Sequence, residues 1–207
     1  MHSSQTEFVI FDVETTGFYP VKGDRIIEIA AIKVKNKKII SSFESLINPQ
    51  RDLPEQSKAV HNITEEMLKD APKAEDILPG MIDFIGNACL VGHNIKFDLD
   101  FLCYQLSAIG RKLRPETPAL DTLKMSKHLV PQLSNHKLSS LALFFGVPID
   151  ETHRALPDVH LTIKVFYHLI EKARQQKIES FQELIQKYSV QKPQFKMDQE
   201  TNQELLF

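Results

Sequence analysis

The sequence predicts an α/β fold built on a mixed sheet. Two observations carry that expectation. The first quarter of the chain holds successive β-branched, apolar runs separated by turn residues, the pattern of an antiparallel meander. After Pro54 the character changes, and short apolar runs alternate with segments of helical period. Sheets of this kind place their chemistry at strand ends.

Taken in order, residues 7–13 read as a first strand and Arg25 to Lys35 as a second. Asn36-Lys37 suits a hairpin turn, after which Ile39 to Ile47 returns as a third strand, ended by Asn48-Pro49. Val60 to Leu68 reads as a loop entering a helix, with Thr64 as its N-cap. Glu75 to Ile85 is helical, with Ile77, Met81, Phe84 and Ile85 on one face. Cys89-Leu90-Val91, followed by Gly92, reads as a buried strand, and Lys96 to Ile109 as a helix with Asn94 as its N-cap. A short extended piece at Ala119-Leu120 precedes helices over 122–128 and 138–145. Ala155 to Arg174 is a long helix with Val159, Ile163, Phe166, Ile170 and Ala173 as its inner stripe. Residues 180–187 give one more helix. The organisation expected is one domain over 1–188 and a flexible polar tail over 189–207.

Composition narrows the function classes. Hydrophobic residues make up 42% and charged residues 25%, ordinary values for a soluble globular protein. The formal net charge of −2 excludes a global basic footprint, so any nucleic-acid contact is local or helped by bound cations. Cys89 and Cys103 lack metal-ligand spacing and sit among apolar residues, which makes them core thiols suited to a reducing compartment. Met1 to Gln5 carries no apolar signal region, and no stretch approaches the ~20 apolar residues of a membrane span. The expected location is the cytoplasm.

The chemistry concentrates in three places. Phe8 to Gly17 is an apolar strand with two carboxylates near its end. A strand repeats every two residues, so Phe8, Ile10, Asp12 and Glu14 share one face, which sets the two acids roughly 6–7 Å apart along the backbone. Acids that close repel unless a cation lies between them. Alone, the pair also reads as a strand running into a solvated turn. The second place is Gly92-His93-Asn94-Ile95-Lys96-Phe97-Asp98, which puts Asp98 in a first helical turn, where a helix dipole by itself explains an acid. The third is His153-Arg154-Ala155-Leu156-Pro157-Asp158, with Pro157 at a helix start and His153 in the loop before it. A loop histidine alone is ordinarily solvated. Together, four acids and one histidine at strand ends and strand–helix junctions point to a divalent-metal site.

In combination, Asp12-Val13-Glu14-Thr15-Thr16-Gly17, His93-Asn94-x-x-Phe97-Asp98 and His153-Arg154-Ala155-x-x-Asp158 resemble the three motifs of the DEDD exonuclease superfamily. The histidine five residues before the last Asp matches its DEDDh branch. Ile27-Glu28-Ile29-Ala30-Ala31, Val60-His61-Asn62-Ile63-Thr64 and Leu120-Asp121-Thr122-Leu123 support the match, with Asn62 departing where the family often has Gly. The likeness covers about residues 7–170, and the most similar group looks like the proofreading epsilon subunit of bacterial DNA polymerase III and related domains.

The resemblance implies an RNase H-like fold, a five-stranded mixed sheet with strand 2 antiparallel to the rest. It also implies metal-dependent 3′→5′ hydrolysis at DNA 3′ ends, releasing nucleoside 5′-monophosphates in replication proofreading or repair. Two Mg²⁺ or Mn²⁺ ions about 3.5–4 Å apart activate the water, relieve phosphate charge and stabilise the leaving oxygen in such sites. The roles that follow are Asp12 shared by both ions, Glu14 and Asp158 on the ion of the nucleophilic water, Asp98 on the second ion, and His153 as general base. By the same likeness His61 and Gln56 hold the terminal nucleotide; Thr15 and Thr16, next to the metal ligands, offer backbone or hydroxyl contacts, and Phe18 stacks on a base, with a surface His61 and a buried Phe18 as the other readings. Gln203, Leu205, Leu206 and Phe207 resemble a sliding-clamp-binding end, with Glu204 departing where Leu is usual; docking back onto the domain is the other reading of these exposed apolar residues. Two other classes remain open from sequence alone: an exoribonuclease with the same site, and a non-catalytic, clamp-tethered module.

Overall fold

The computed structural model of the chain describes residues 6–149 and 154–195. Its strands are β1 (Glu7–Thr15), β2 (Ile26–Lys35), β3 (Lys38–Leu46), β4 (Cys89–Gly92) and β5 (Ala119–Asp121). They form one sheet in the order β3-β2-β1-β4-β5. β2 runs antiparallel to both neighbours, and β1, β4 and β5 are mutually parallel. This is the sheet that the family resemblance implies, and it agrees with the meander followed by alternation. Asn36 and Lys37, both at positive φ, make the two-residue turn of the β2–β3 hairpin.

Helices are α1 (Glu55–His61), α2 (Glu65–Lys69), α3 (Ala74–Ile85), α4 (Lys96–Ala108), α5 (Thr122–Leu129), α6 (Leu138–Phe144), α7 (Ala155–Gln175) and α8 (Phe181–Tyr188). The alternation of β1 divides them into two layers. Phe8 and Ile10 pack into an apolar cluster with α5, α6, α7 and α8. Val9, Phe11 and Val13 face the other way, into a cluster built with α3 and α4. Both sides of β1 are thus sealed by apolar side chains from Phe8 to Phe11, and its acids Asp12 and Glu14 fall toward its C-terminal end.

Three details of the sheet prepare the site. β4 pairs with β1 only from Phe8 to Ile10 and then turns away at Gly92, so β1 outruns its parallel neighbour. A Cβ at Gly92 would meet Ile95 Cγ1 at 2.9 Å and the Phe11 carbonyl oxygen at 3.3 Å; glycine is what lets the chain turn that close to β1. The β1–β2 register shifts between Glu14 and Thr15, a bulge that frees Ile27 to pack with Leu53, Ile63 and Leu68.

The structure departs from the sequence expectations in several places. Residues 55–61 form a helix rather than a loop. The N-cap of α4 is Ile95, not Asn94; Asn94 sits at φ 62°, and its backbone N–H is held by Asp121 Oδ1 at 3.0 Å. Along α7, Thr162 is buried and Ile163 only half-buried, a small rotation of the expected stripe. Residues 189–195 are packed: the Val190 N–H donates to the Ala119 carbonyl at 2.9 Å, and Phe195 stacks edge-on against Tyr104. The tail therefore covers the outer edge of β5 before residue 196, and the remainder, with Gln203, Leu205, Leu206 and Phe207, lies outside the described residues. Thr64 does cap α2, accepting from the Met67 N–H.

Asn62 closes α1 in the left-handed region, at φ 57°. That conformation explains why Asn replaces the expected Gly, since Asn tolerates it and most side chains do not. Asn62→Gly is expected to leave the melting temperature within about a degree, whereas Asn62→Val is expected to lower stability by about 1–2 kcal/mol. A pair of thermal melts checks this, and equal melting of the two variants would contradict it.

Candidate active site

Asp12 and Glu14 occupy the exposed end of the β1 face that packs on α7. Asp158, in the first turn of α7, comes down on them. One ligand oxygen from each of Asp12, Glu14 and Asp158 can be chosen so that all lie within 4.8 Å of one another. Asp98 arrives from the opposite layer. It is only 3% exposed, and its Oδ1 accepts the Val13 N–H at 3.1 Å. That N–H is available because β4 has already turned away, so the carboxylate substitutes for the missing strand partner. Two helices on opposite faces thus bring acids to one strand end.

The electrostatics are those of a crowded acidic cluster. Burial first, then the charges of Asp98, Glu14, Asp158 and Glu28, push the Asp12 carboxyl well above the ordinary carboxylate range. Glu14 is pushed up to about 8, mainly by burial and then by Asp158 and Glu28, with Arg154 opposing. Asp98 is likewise raised by burial, against the hydrogen bond from Val13 that favours its charged form. Hard oxygen donors packed this tightly fit a divalent cation, which would replace the protons they otherwise retain.

Glu28 is the residue that sequence reading left without a role. It stands directly across from Glu14 in the β1–β2 register. Its carboxylate accepts from Arg154 Nε at 3.0 and 3.1 Å, from Arg154 Nη2 at 2.5 Å, and from the Ala155 N–H at 2.9 Å. The signal in the sequence was an acid inside an otherwise apolar strand, which needs a partner when buried.

The other expected residues separate. His61 is 1% exposed rather than on the surface. Its Nδ1 accepts the Ile63 N–H at 3.0 Å, and burial lowers its basicity, so the ring is neutral with the proton on Nε2. That Nε2 is the buried side-chain nitrogen without a hydrogen-bond partner among the described residues, a donor awaiting an acceptor. Phe18 is 75% exposed, beside Tyr19 and Phe97, so its ring is open for stacking. Gln56 is exposed in the first turn of α1. The Thr15 hydroxyl donates to the Gly17 carbonyl, and the Thr16 hydroxyl donates to Asp24 while accepting the Arg25 N–H. Those hydroxyls hold the turn after β1 and are not left for a ligand. Gly17 belongs to the same turn: a Cβ there would lie 2.4 Å from Asp24 Oδ2. His153 lies outside the described residues, immediately before Arg154. Cys89 and Cys103 are free thiols, and burial pushes Cys103 up to about 12, as expected for core cysteines.

This arrangement is a cluster of carboxylates at a strand end of an RNase H-like sheet. The family profile described as Exonuclease matches residues 9–166, and the chain belongs to that exonuclease family. Among curated proteins it is 42% identical over 182 residues to the DNA polymerase III PolC-type of Caldanaerobacter subterraneus subsp. tengcongensis, covering 88% of this chain and 13% of that protein. It is 35% identical over 172 residues to the 3′-5′ exonuclease DinG of Bacillus subtilis, covering 83% of this chain and 18% of that protein. The chain therefore spans under a fifth of the length of these relatives. Among solved structures, exonuclease X in complex with 5′ overhanging duplex DNA matches with a TM-score of 0.70 at 24% identity, over 86% of this chain and 98% of that one. E. coli exonuclease I in complex with a dT13 oligonucleotide matches with a TM-score of 0.73 at 18% identity, over 84% and 43%. These likenesses show the fold, in agreement with the DEDD motifs. Among the described residues no helix is long and apolar enough to cross a membrane.

A pH dependence follows from the raised acids. Glu14 holds its proton in the folded state up to about pH 8, but releases it near 4.5 when unfolded. Between those values the unfolded chain binds fewer protons, so metal-free stability falls as pH rises through that window. Melting in chelator is expected to shift down from pH 5 to pH 8, with Glu14→Gln flattening the slope and millimolar Mn²⁺ restoring the wild type at pH 8. A wild-type slope no steeper than that of Glu14→Gln would contradict the assignment.

Proposed function

We propose that this chain is a metal-dependent 3′→5′ exonuclease unit that hydrolyses phosphodiester bonds at DNA 3′ ends and releases nucleoside 5′-monophosphates. The observation that carries the reading is the convergence of Asp12, Glu14 and Asp158 within 4.8 Å, with Asp98 on the same strand end. The likeness to PolC-type polymerase and DinG supports the direction and the DNA substrate, and favours replication proofreading or repair.

Asp12, Glu14, Asp98 and Asp158 would hold two Mg²⁺ or Mn²⁺ ions. When bound, such ions supply a water of lowered pKa and charge relief on the phosphate. The protein's own residues do the rest. His153, immediately before Arg154 in sequence, takes the proton of the attacking water. The neutral His61 donates from Nε2 to the terminal nucleotide, ending the isolation of that buried nitrogen. Phe18 stacks on a base beside the site, and Gln56 borders the same nucleotide. The residues beyond 195 end in Gln203, Leu205, Leu206 and Phe207, which tether the enzyme to a sliding clamp and raise its concentration at DNA ends.

With a 3′-labelled single-stranded DNA, Asp12→Ala and Asp158→Ala are expected to remove detectable Mg²⁺- or Mn²⁺-dependent trimming while the fold persists by circular dichroism. His153→Ala is expected to cost at least ~100-fold in rate. Full activity of any of the three overturns the site assignment, and faster trimming of a matched RNA reassigns the substrate. In a pull-down with the cognate clamp, deletion of residues 203–207 is expected to abolish capture; equal capture with and without them removes the tether.

A further inference from the structure

Residues outside the four acids must set where α7 begins. The helix starts at Ala155 with Arg154 as its N-cap, and the Arg154 side chain makes no capping hydrogen bond. An uncapped first turn ordinarily frays, and Asp158 lies in that turn. The cap is supplied instead from β2. Glu28 Oε2 accepts the Ala155 N–H at 2.9 Å, and the same carboxylate is gripped side-on by the Arg154 guanidinium. The residues are 126 and 127 positions apart in sequence, so this is a tertiary cap, anchored on a rigid central strand.

The placement of Glu28 makes the cap specific to the site. Directly across from Glu14, two like charges on neighbouring strands would destabilise the sheet. Arg154 removes that conflict and leaves Glu14 as the unneutralised member of the pair. Both oxygens of Glu28 are occupied by N–H donors, so it is not a further metal ligand. Its carboxylate sits at 11% side-chain exposure against Arg154 at 37%, so the pair is sheltered enough for its geometry to be fixed.

We propose that Glu28 is a positioning residue: with Arg154 it locks the first turn of α7 onto β2, and so holds Asp158 at the distance from Asp12 and Glu14 that a cation requires. A planar, bidentate fork is needed for this, which a lysine does not supply. The catalytic consequence rests on the exonuclease reading above, whereas the metal-binding consequence stands without it.

The test uses the full chain and reads Mn²⁺ binding by calorimetry, thermal melting, and kcat and KM on single-stranded DNA. Glu28→Gln keeps the size of the side chain and one acceptor for the Ala155 N–H, but loses the ionic grip on Arg154. Its Mn²⁺ Kd is expected to rise about 10-fold or more, the range found when supporting groups behind metal ligands are removed. Saturating Mn²⁺ is expected to recover much of kcat, with KM for DNA little changed. Arg154→Gln is expected to match it, and the double variant to be no worse than the more impaired single, since the two residues act as one unit. If Glu28→Gln does not fold, Arg154→Gln, which retains the Glu28 bond to Ala155, carries the test alone. Unchanged Mn²⁺ affinity in a folded variant, even with a lowered melting temperature, overturns the proposal. A wild type that binds Mn²⁺ but cleaves no nucleic acid defeats the exonuclease reading and leaves the positioning role to be judged on affinity.

Discussion

Mutual repulsion among buried carboxylates at the end of β1 is the constraint around which this molecule is built. Asp12, Glu14, Asp98 and Asp158 would separate in a flexible chain, because each raises the cost of ionising the others. They are held together by apolar packing on both faces of one strand. Phe8 and Ile10 seal one side and Val9, Phe11 and Val13 the other. The core thus stabilises the fold against a repulsion concentrated at one edge of it, a common exchange of stability for function.

The end of β1 accommodates the acids because the sheet is incomplete there. β4 leaves after Val91 and Gly92, and the Val13 N–H would be orphaned without Asp98. At the β1–β2 bulge Ile27 packs with Leu53, Ile63 and Leu68, and Leu53 and Ile63 flank the buried His61 in sequence. The early end of β4 therefore admits Asp98, while His61 ends α1, between two members of that small cluster. The register that sets Glu28 opposite Glu14 then fixes α7 from a third direction.

What could be read from sequence follows from how far each signal reaches along the chain. The strands and long helices were legible because their periodicity is local, and the four acids because each sits at a break in that periodicity. α1 was not legible: Glu55 to His61 has no apolar stripe, its Val60 is exposed, and its buried member is a histidine. Asn94 looked like a cap, but its backbone is held by Asp121, 27 residues on. The 189–195 strap looked like free tail because its partners are backbone groups of Ala119, Pro115 and Thr117, to which composition is blind. Glu28 was visible only as an acid in an apolar strand. Its partner lies 126 residues away, and no local pattern names it.

Charge balance connects the site to the substrate. Glu28 is paired with Arg154, so it adds little to the negative charge of the acid cluster. In the proposed enzyme two divalent cations would offset much of the charge of these acids before substrate arrives. The phosphate of a nucleic-acid end, the proposed substrate, would then bring the negative charge that such cations attract at close range. No basic surface is needed for that attraction, which is why a chain of net charge −2 is compatible with a polyanionic substrate. The same balance gives Glu28 its importance. Were its charge free, the cluster would hold five acids, and the field drawing a phosphate toward the end of β1 would weaken.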